Sequence, residues 1–273
     1  MKPTLVITMG STGSGKSKLA KAVIDKLKLK NPKFFLIDDY VENDKIYKQK
    51  IKKFSKNKNA KSKLRNPDKK TLKYFEKSYF SVRNNGCKKR LTKKRIPKKK
   101  CVDLEERGCD RLLSIELNDA ILKNQNIIFE TKGEYYPKWL IKAINKCNNY
   151  NIVIAGVKVS LKNLIKRNKS RSIEGLELFL KDMDTNPAPR LPDISKKSLQ
   201  NQKRLLNKTL KNIILKGCIK GNKKDIDYCS KYSINRLLIY ENDKELKIIY
   251  DLNSLKNNRS ARRNKLTERK VRN

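Results

Sequence analysis

The chain has 273 residues, with 69 Lys/Arg against 27 Asp/Glu, a formal net charge of +42 and 37% hydrophobic residues. That length and composition allow one generous core; no apolar run approaches the ~18 residues of a membrane span, and the short apolar start runs straight into a glycine motif, unlike a signal peptide. Histidine is absent, which excludes Ser-His and Cys-His catalysis and His-ligated metals, so the expectation is a soluble, intracellular (cytoplasmic), strongly basic protein.

In chain order, Leu5–Met9 is short and rich in β-branched residues and reads as a buried strand. It ends in Gly10-Ser-Thr-Gly-Ser-Gly-Lys16-Ser17, followed by Leu19, Ala20, Val23, Ile24 and Leu27 at helical spacing. Phe34–Ile37 is a second strand closed by Asp38-Asp39, and a helix is expected over Val41–Phe54. From Val41 to Lys100 there are 24 Lys/Arg and 4 Asp/Glu, a net +20 in 60 residues. Within it, Lys56–Lys70 and Lys88–Lys100 lack apolar periodicity, so these two stretches of the basic insertion (about 56–100) read as solvated loop or partly disordered chain. Tyr74, Phe75, Tyr79 and Phe80 lie inside it at helical spacing, which favours packing on the core over stacking on bases.

Asp103–Lys123 reads as a long helix, and Asn126–Phe129 as strand three, ending in Glu130-Thr131. Pro137 opens the next helix, where proline is tolerated. Strand four is Asn151–Val157, followed by a helix over Leu161–Arg171 and a proline-rich stretch with Pro187, Pro189 and Pro192. A helix over Ile194–Leu215 and a hairpin of Arg236–Tyr240 and Leu246–Tyr250 complete the pattern. Residues 254–273 carry eight basic residues and one acid and read as a disordered tail. Alternating strands and helices predict an α/β fold: a P-loop NTPase three-layer sandwich with a mostly parallel five-stranded sheet, the C-terminal hairpin and the basic insertion. The domain spans 1–253, with a lid region at about 160–192.

Cys87, Cys101, Cys109, Cys147, Cys218 and Cys229 contain no C-x-x-C pair and are expected as reduced thiols. A Cys-only zinc site from Cys87, Cys101 and Cys109 is the lesser reading, because zinc ligands usually come in close pairs.

Gly10-x-x-x-x-Gly15-Lys16-Ser17 matches the phosphate-loop pattern in its strand-to-helix setting. Gly10, Ser11, Thr12, Gly13, Ser14 and Gly15 let backbone N–H groups curl inward toward phosphate oxygens, and the following helix aims its positive end at the same point. Lys16 bridges the β- and γ-phosphates in this scheme, and Ser17 places its hydroxyl on Mg²⁺. No Asp is followed by Gly three positions on, which argues against a GTPase; Asn222-Lys-Lys-Asp225 imitates a guanine-reading motif without a strand to deliver it. A small kinase fits better. Asp39, or Asp38, is then the base for an acceptor hydroxyl, one of the pair being free to cap the next helix. Glu130 and Thr131 are candidate acceptor contacts, with Arg190 and the stacking candidates Tyr135 and Tyr136. Arg167 and Arg171, four apart on one helix face, form a candidate phosphoryl-clamping lid, the plainer reading being a solvated basic face.

The blocks GSTGSGKS, FFLIDDY, NIIFETKGEYYP, YNIVIAGVKVSLKNLIKRNKSR and LLIYENDKELKIIYD resemble, in order, the zeta-toxin family of P-loop kinases over about half of the chain. The resemblance implies a parallel five-stranded core, Mg-ATP, an Asp base and phosphorylation of a sugar hydroxyl on a nucleotide-sugar. It makes Lys16 and Ser17 the phosphate and Mg²⁺ residues, Asp39 or Asp38 the base, Glu130 and Thr131 substrate contacts, and Arg167 and Arg171 the lid. In that family the acid and threonine of strand three are typically one residue apart, whereas Glu130 and Thr131 are adjacent, and the Lys56–Lys100 insertion lies outside the family core. The leading expectation is an ATP-dependent kinase acting on a small hydroxyl compound, a nucleotide or nucleotide-sugar among the candidates. The alternatives are a polynucleotide kinase gripping nucleic acid through the basic segment and tail, or a nucleotide-gated nucleic-acid-binding protein without transfer.

Overall fold

The computed structural model describes residues 2–133, 138–191, 195–216 and 234–253. The tail, Tyr135, Tyr136, Pro137, Pro192, Cys218, Cys229 and the Asn222–Asp225 motif lie outside them.

The chain runs β1 (Thr4–Met9), α1 (Lys16–Leu27), β2 (Lys33–Phe35), α2 (Ile37–Glu42), α3 (Lys45–Ser55), α4 (Ala60–Arg65), α5 (Lys69–Asn85) and α6 (Lys88–Leu91). It continues with α7 (Gly108–Leu122), β3 (Ile127–Thr131), α8 (Lys138–Cys147), β4 (Asn151–Lys158), α9 (Leu161–Lys181), α10 (Lys196–Lys216), β5 (Arg236–Asn242) and β6 (Leu246–Asn253). The strands form one sheet in the order β2-β3-β1-β4-β5-β6. All neighbours are parallel except the β5–β6 hairpin, so the expected five parallel strands and hairpin merge into one six-stranded sheet.

Every residue of β1 is buried, because helices cover both faces of the sheet. Its side chains alternate between two cores. Leu5, Ile7 and Met9 join the core shared with α2–α8, while Val6 joins Leu19, Ala20 and Val23 of α1. The sequence order reverses at β1, between β3 and β4, and the carboxyl ends of these strands open the crevice where such sheets bind ligands.

Several boundaries differ from expectation. The second strand stops at Phe35, and Ile37 enters a helix, so Asp38 and Asp39 stand in the first turn of α2 rather than at a strand tip. The helix expected over Val41–Phe54 is two helices, broken at Asp44, whose carboxylate accepts the Ile46 N–H and caps α3. The long helix expected from Asp103 begins at Gly108, and the helix expected to end at Arg171 runs on to Lys181.

The larger correction concerns Lys56–Lys70, expected as solvated loop: Ala60–Arg65 is the helix α4 and α5 begins at Lys69, whereas Lys88–Lys100 stays largely exposed, with one short helix, α6. Asp68 caps α5 through the Thr71 N–H, and Phe75, Tyr79 and Val82 bury one face of that helix in the main core. Leu64 of α4 and Tyr47 and Ile51 of α3 are buried with them. Phe80 alone of the four aromatics stays outside, at 48% exposure. Arg83 pairs with both carboxylate oxygens of Asp110 on α7, at 2.7 and 3.0 Å. Arg90 and Lys94 pair with Glu116, which also accepts the Tyr40 hydroxyl at 2.7 Å.

The cysteines are also not the expected free thiols. Cys87 is bonded to Cys109 and Cys101 to Cys147, and no described cysteine is free. The first pair fixes the end of α5 to α7; the second fixes the end of the insertion to α8. This pairing takes Cys87, Cys101 and Cys109 out of the zinc reading. No described helix is long and apolar enough to cross a membrane.

Candidate functional site

The loop from Gly10 to Gly15 leaves the end of β1 and enters α1 at Lys16. Gly13 and Gly15 have φ of +80° and +87°, a region that side chains rarely adopt. At Gly13 a Cβ would fall onto the buried Asn168 side chain, so only glycine fits there. The loop begins on a hydrogen bond from the Gly10 N–H to the Thr131 carbonyl, 3.3 Å, and closes on one from the Ser14 N–H to the Ser11 carbonyl, 3.0 Å.

Three buried amides from distant elements set its shape. Asn168 of α9 donates to the Thr12 carbonyl at 2.9 Å, and Gln202 of α10 accepts the Thr12 N–H at 3.0 Å. Asn242, at the end of β5, donates to the Ser14 carbonyl at 2.9 Å. The sequence offers no signal for these residues, since amide side chains are abundant and follow no spacing toward the loop.

Lys16 folds back over the loop, donating to the Gly10 carbonyl at 3.0 Å and pairing with Glu130 at 3.4 Å. Burial lowers its pKa, against the opposing pull of Glu130 and Asp38. Ser17, the expected metal ligand, is exposed in the first turn of α1. Thr12 Oγ1 and Ser14 Oγ are buried hydroxyl oxygens without a hydrogen-bond partner in the same loop. The first N–H groups of α1 have no intrahelical partner by helix geometry. Positive φ glycines, free N–H groups and a lysine at one point fit a polyphosphate. A Mg²⁺ ion alongside it fits the Ser17 hydroxyl and the Glu130 carboxylate, both hard oxygen donors.

The two acids of α2 are not equivalent. Asp38 accepts the Tyr79 hydroxyl at 2.7 Å and Arg190 Nη1 at 2.6 Å, so its Oδ1 is held by two donors. The Asp39 carboxylate has no hydrogen-bond partner among the described residues. Loss of water around it, then the like charges of Glu130 and Asp38, raise its pKa, and Arg171 opposes the rise. Tyr79 comes from the basic insertion, a site residue that the sequence reading left as packing.

Thr131 and Glu130 differ in role although adjacent. Strand alternation turns Glu130 toward Lys16, while Thr131 accepts the Gly10 N–H with its carbonyl and the Gly133 N–H with its hydroxyl. The two arginines of α9 also separate. Arg167 donates to the Asp243 carbonyl in the β5–β6 turn at 3.1 Å, which ties it to that turn. Arg171 lines a pocket of about 120 Å³ with Glu42, Asn168, Ser172 and Arg190. Arg190 lies over the Tyr79 ring and 3.7 Å from Glu42. Glu42 Oε1 is buried with no hydrogen-bond donor, and burial pushes the Glu42 pKa up to about 7, with Arg190 opposing.

No protein-family model and no curated protein matches the chain. Among solved structures it is similar to a chain of the PezAT chromosomal toxin-antitoxin system of Streptococcus pneumoniae, at 12% identity and a TM-score of 0.44, over 96% of this chain and 76% of that one. It is also similar to a candidate kinase from Chloroflexus aurantiacus, at 14% identity and a TM-score of 0.39, over 74% of this chain and 79% of that one. What distinguishes the site is the chain's own set of side chains: a lysine-armed phosphate loop with Glu130 paired to Lys16, Asp38 held by two donors, and an Asp39 carboxylate without a donor among the described residues.

Proposed function

We propose that the protein is an ATP-dependent kinase that moves the γ-phosphoryl group of Mg-ATP to a hydroxyl of a small acceptor. The observation that carries this reading is the pairing of a rigid phosphate loop, gripped by Asn168, Gln202 and Asn242, with the open Asp39 carboxylate across the crevice. When bound, Mg-ATP supplies the transferable group. The loop N–H groups and Lys16 bind its phosphate oxygens, and Lys16 must first leave the Gly10 carbonyl and Glu130. Ser17 and Glu130 would hold the metal, which would neutralise phosphate charge. Asp39 accepts the acceptor's hydroxyl proton, a task for which a raised pKa suits it. Asp38, pinned by Tyr79 and Arg190, positions α2 and the arginine. Arg171, exposed at the mouth, is the cation free to offset charge on the moving phosphoryl.

The experiment is transfer from γ-labelled ATP with Mg²⁺ to a panel of nucleotide-sugars, nucleosides and hydroxyl-ended oligonucleotides. Label on a small acceptor, reduced about 10²–10³-fold in Lys16→Ala, is the expected result. Label on oligonucleotide ends would make the protein a polynucleotide kinase. ATP binding without transfer to any acceptor would overturn the reading.

A further inference from the structure

The insertion raises a question that the phosphate site does not answer: why a folded segment displays so many cations. Of the 24 Lys/Arg between Val41 and Lys100, ion pairs tie down Lys61, Arg83, Arg90 and Lys94 among the described residues. The others are divided between helices α3 to α6 and the loops that join and follow them. On α5 the inner face carries Phe75, Tyr79 and Val82 into the core. The outer face carries Lys69, Lys70, Lys73 and Lys77, all exposed, with the half-exposed Phe80 one turn further along. None of these four lysines makes an ion pair or hydrogen bond among the described residues. One acid, Glu76, stands at the edge of the face. Lys69, Lys73 and Lys77 recur every four residues, which on a helix puts the charges ~6 Å apart along one line.

We propose that the outer face of α5 is a binding surface for single-stranded nucleic acid, with Lys69, Lys70, Lys73 and Lys77 on the phosphates and Phe80 stacking on a base. A repeating row of cations closed by an exposed ring matches a polymer that alternates phosphates and flat bases. A lipid surface fits less well. A helix lying on a membrane must offer its apolar face, and the apolar face of α5 is buried in the protein. Tyr79 on the inner face hydrogen-bonds Asp38, so a strand on the outer face lies one helix diameter, ~10 Å, behind the side of α5 that holds Asp38. The proposal does not depend on transfer activity.

The test is fluorescence anisotropy of the full chain with a labelled 20-nucleotide single-stranded RNA and DNA across a salt series, without ATP. The variants are Lys69/Lys70/Lys73/Lys77→Gln, Phe80→Ala, and a control with the same number of exposed cations removed from α10, Lys197/Arg204/Lys208/Lys211→Gln. Gln matches Lys in helix propensity, so thermal midpoints are expected to stay together, and a match in midpoint qualifies each variant for the comparison. The α5 variant should bind at least tenfold more weakly and lower the slope of log K against log salt by about 3, at ~0.7 per phosphate contact. Phe80→Ala should weaken binding while leaving that slope unchanged, and the α10 control should bind within threefold of the native chain. Equal losses in the α5 and α10 variants would mean diffuse charge and overturn the proposal. So would an unchanged Kd in Phe80→Ala, or displacement of the oligonucleotide by phosphatidylserine vesicles at lower phosphate concentration than by unlabelled strand.

Discussion

One face of the sheet and the basic segment bury side chains in the same core, but with different materials. β1 and β4 contribute aliphatic residues, Leu5, Val6, Ile7, Ile152, Val153 and Ile154, each covered on its own face of the sheet. Helices α3 and α5 contribute Tyr47, Phe75 and Tyr79, with Phe54 and Tyr74 packed beside them, Phe54 and Phe75 lying edge to face at 5.0 Å. A helix rich in lysine has few positions left for the core, and aromatic rings bury the most area per position. Even so, packing is supplemented by covalent and ionic ties, the Cys87–Cys109 bond, the Arg83–Asp110 pair and the Glu116 cluster. A polar-rich segment can thus join a core provided that it is fastened at its ends.

That contrast is sharpened first by breaking a fastener. The Cys87–Cys109 bond closes a 22-residue loop, a constraint of about 3 kcal/mol on the unfolded chain. Cys87→Ser should therefore lower stability by about that amount in denaturant titration. A variant as stable as the native chain would mean that the aromatic face alone holds the insertion.

Glu42, at the seam between α2 and the pocket, gives a comparable effect with a pH signature. Its pKa is raised from 4.5 to about 7 by burial, so the folded chain holds this proton more tightly than the unfolded one. The sign follows: this contribution is fully present below pH 4.5 and is lost as pH rises through about 7. Relative to Glu42→Gln, the native chain should lose on the order of 3 kcal/mol across that window. Parallel stability curves for the two would place the Glu42 carboxylate in water.

The smallest of these effects lies on the sheet side, in the loop's buried amides. Asn168→Ala removes the donor to the Thr12 and Leu164 carbonyls, a loss of about 1–2 kcal/mol. Affinity for ATP should fall by more than stability, since the loop loses its shape. Calorimetry showing unchanged ATP affinity would demote Asn168 to a packing residue.

The sheet was legible because its strands are short apolar runs and because α1 keeps a clean helical stripe. The insertion was less so. α4 buries only Ala60 and Leu64, two residues four apart, too few to stand out among lysines, and α5 showed its period only through the aromatics. The run Phe34–Ile37 reads as one strand, but Ile37 is spent on starting α2, and nothing local marks that break. At the site, the glycines and Lys16 are conspicuous by motif, Glu130 by its place at a strand end, and Asp38 and Asp39 as paired acids directly after an apolar run. Asn168, Gln202, Asn242 and Tyr79 act through contacts with partners 41 to 228 residues away, which no local pattern reports. The cysteine pairs are likewise products of the fold, not of spacing.

The asymmetry between Asp38 and Asp39 is the central claim about the site, and one measurement addresses it directly: single-turnover transfer from γ-labelled ATP to the best acceptor by Asp38→Asn and Asp39→Asn. Asp39→Asn should transfer 10²–10⁴-fold more slowly, the usual worth of a positioned base, with ATP affinity unchanged. Asp38→Asn keeps an oxygen for Tyr79 and Arg190 and should lose about tenfold or less. Native-rate transfer by Asp39→Asn, or a larger loss at Asp38, would contradict the account.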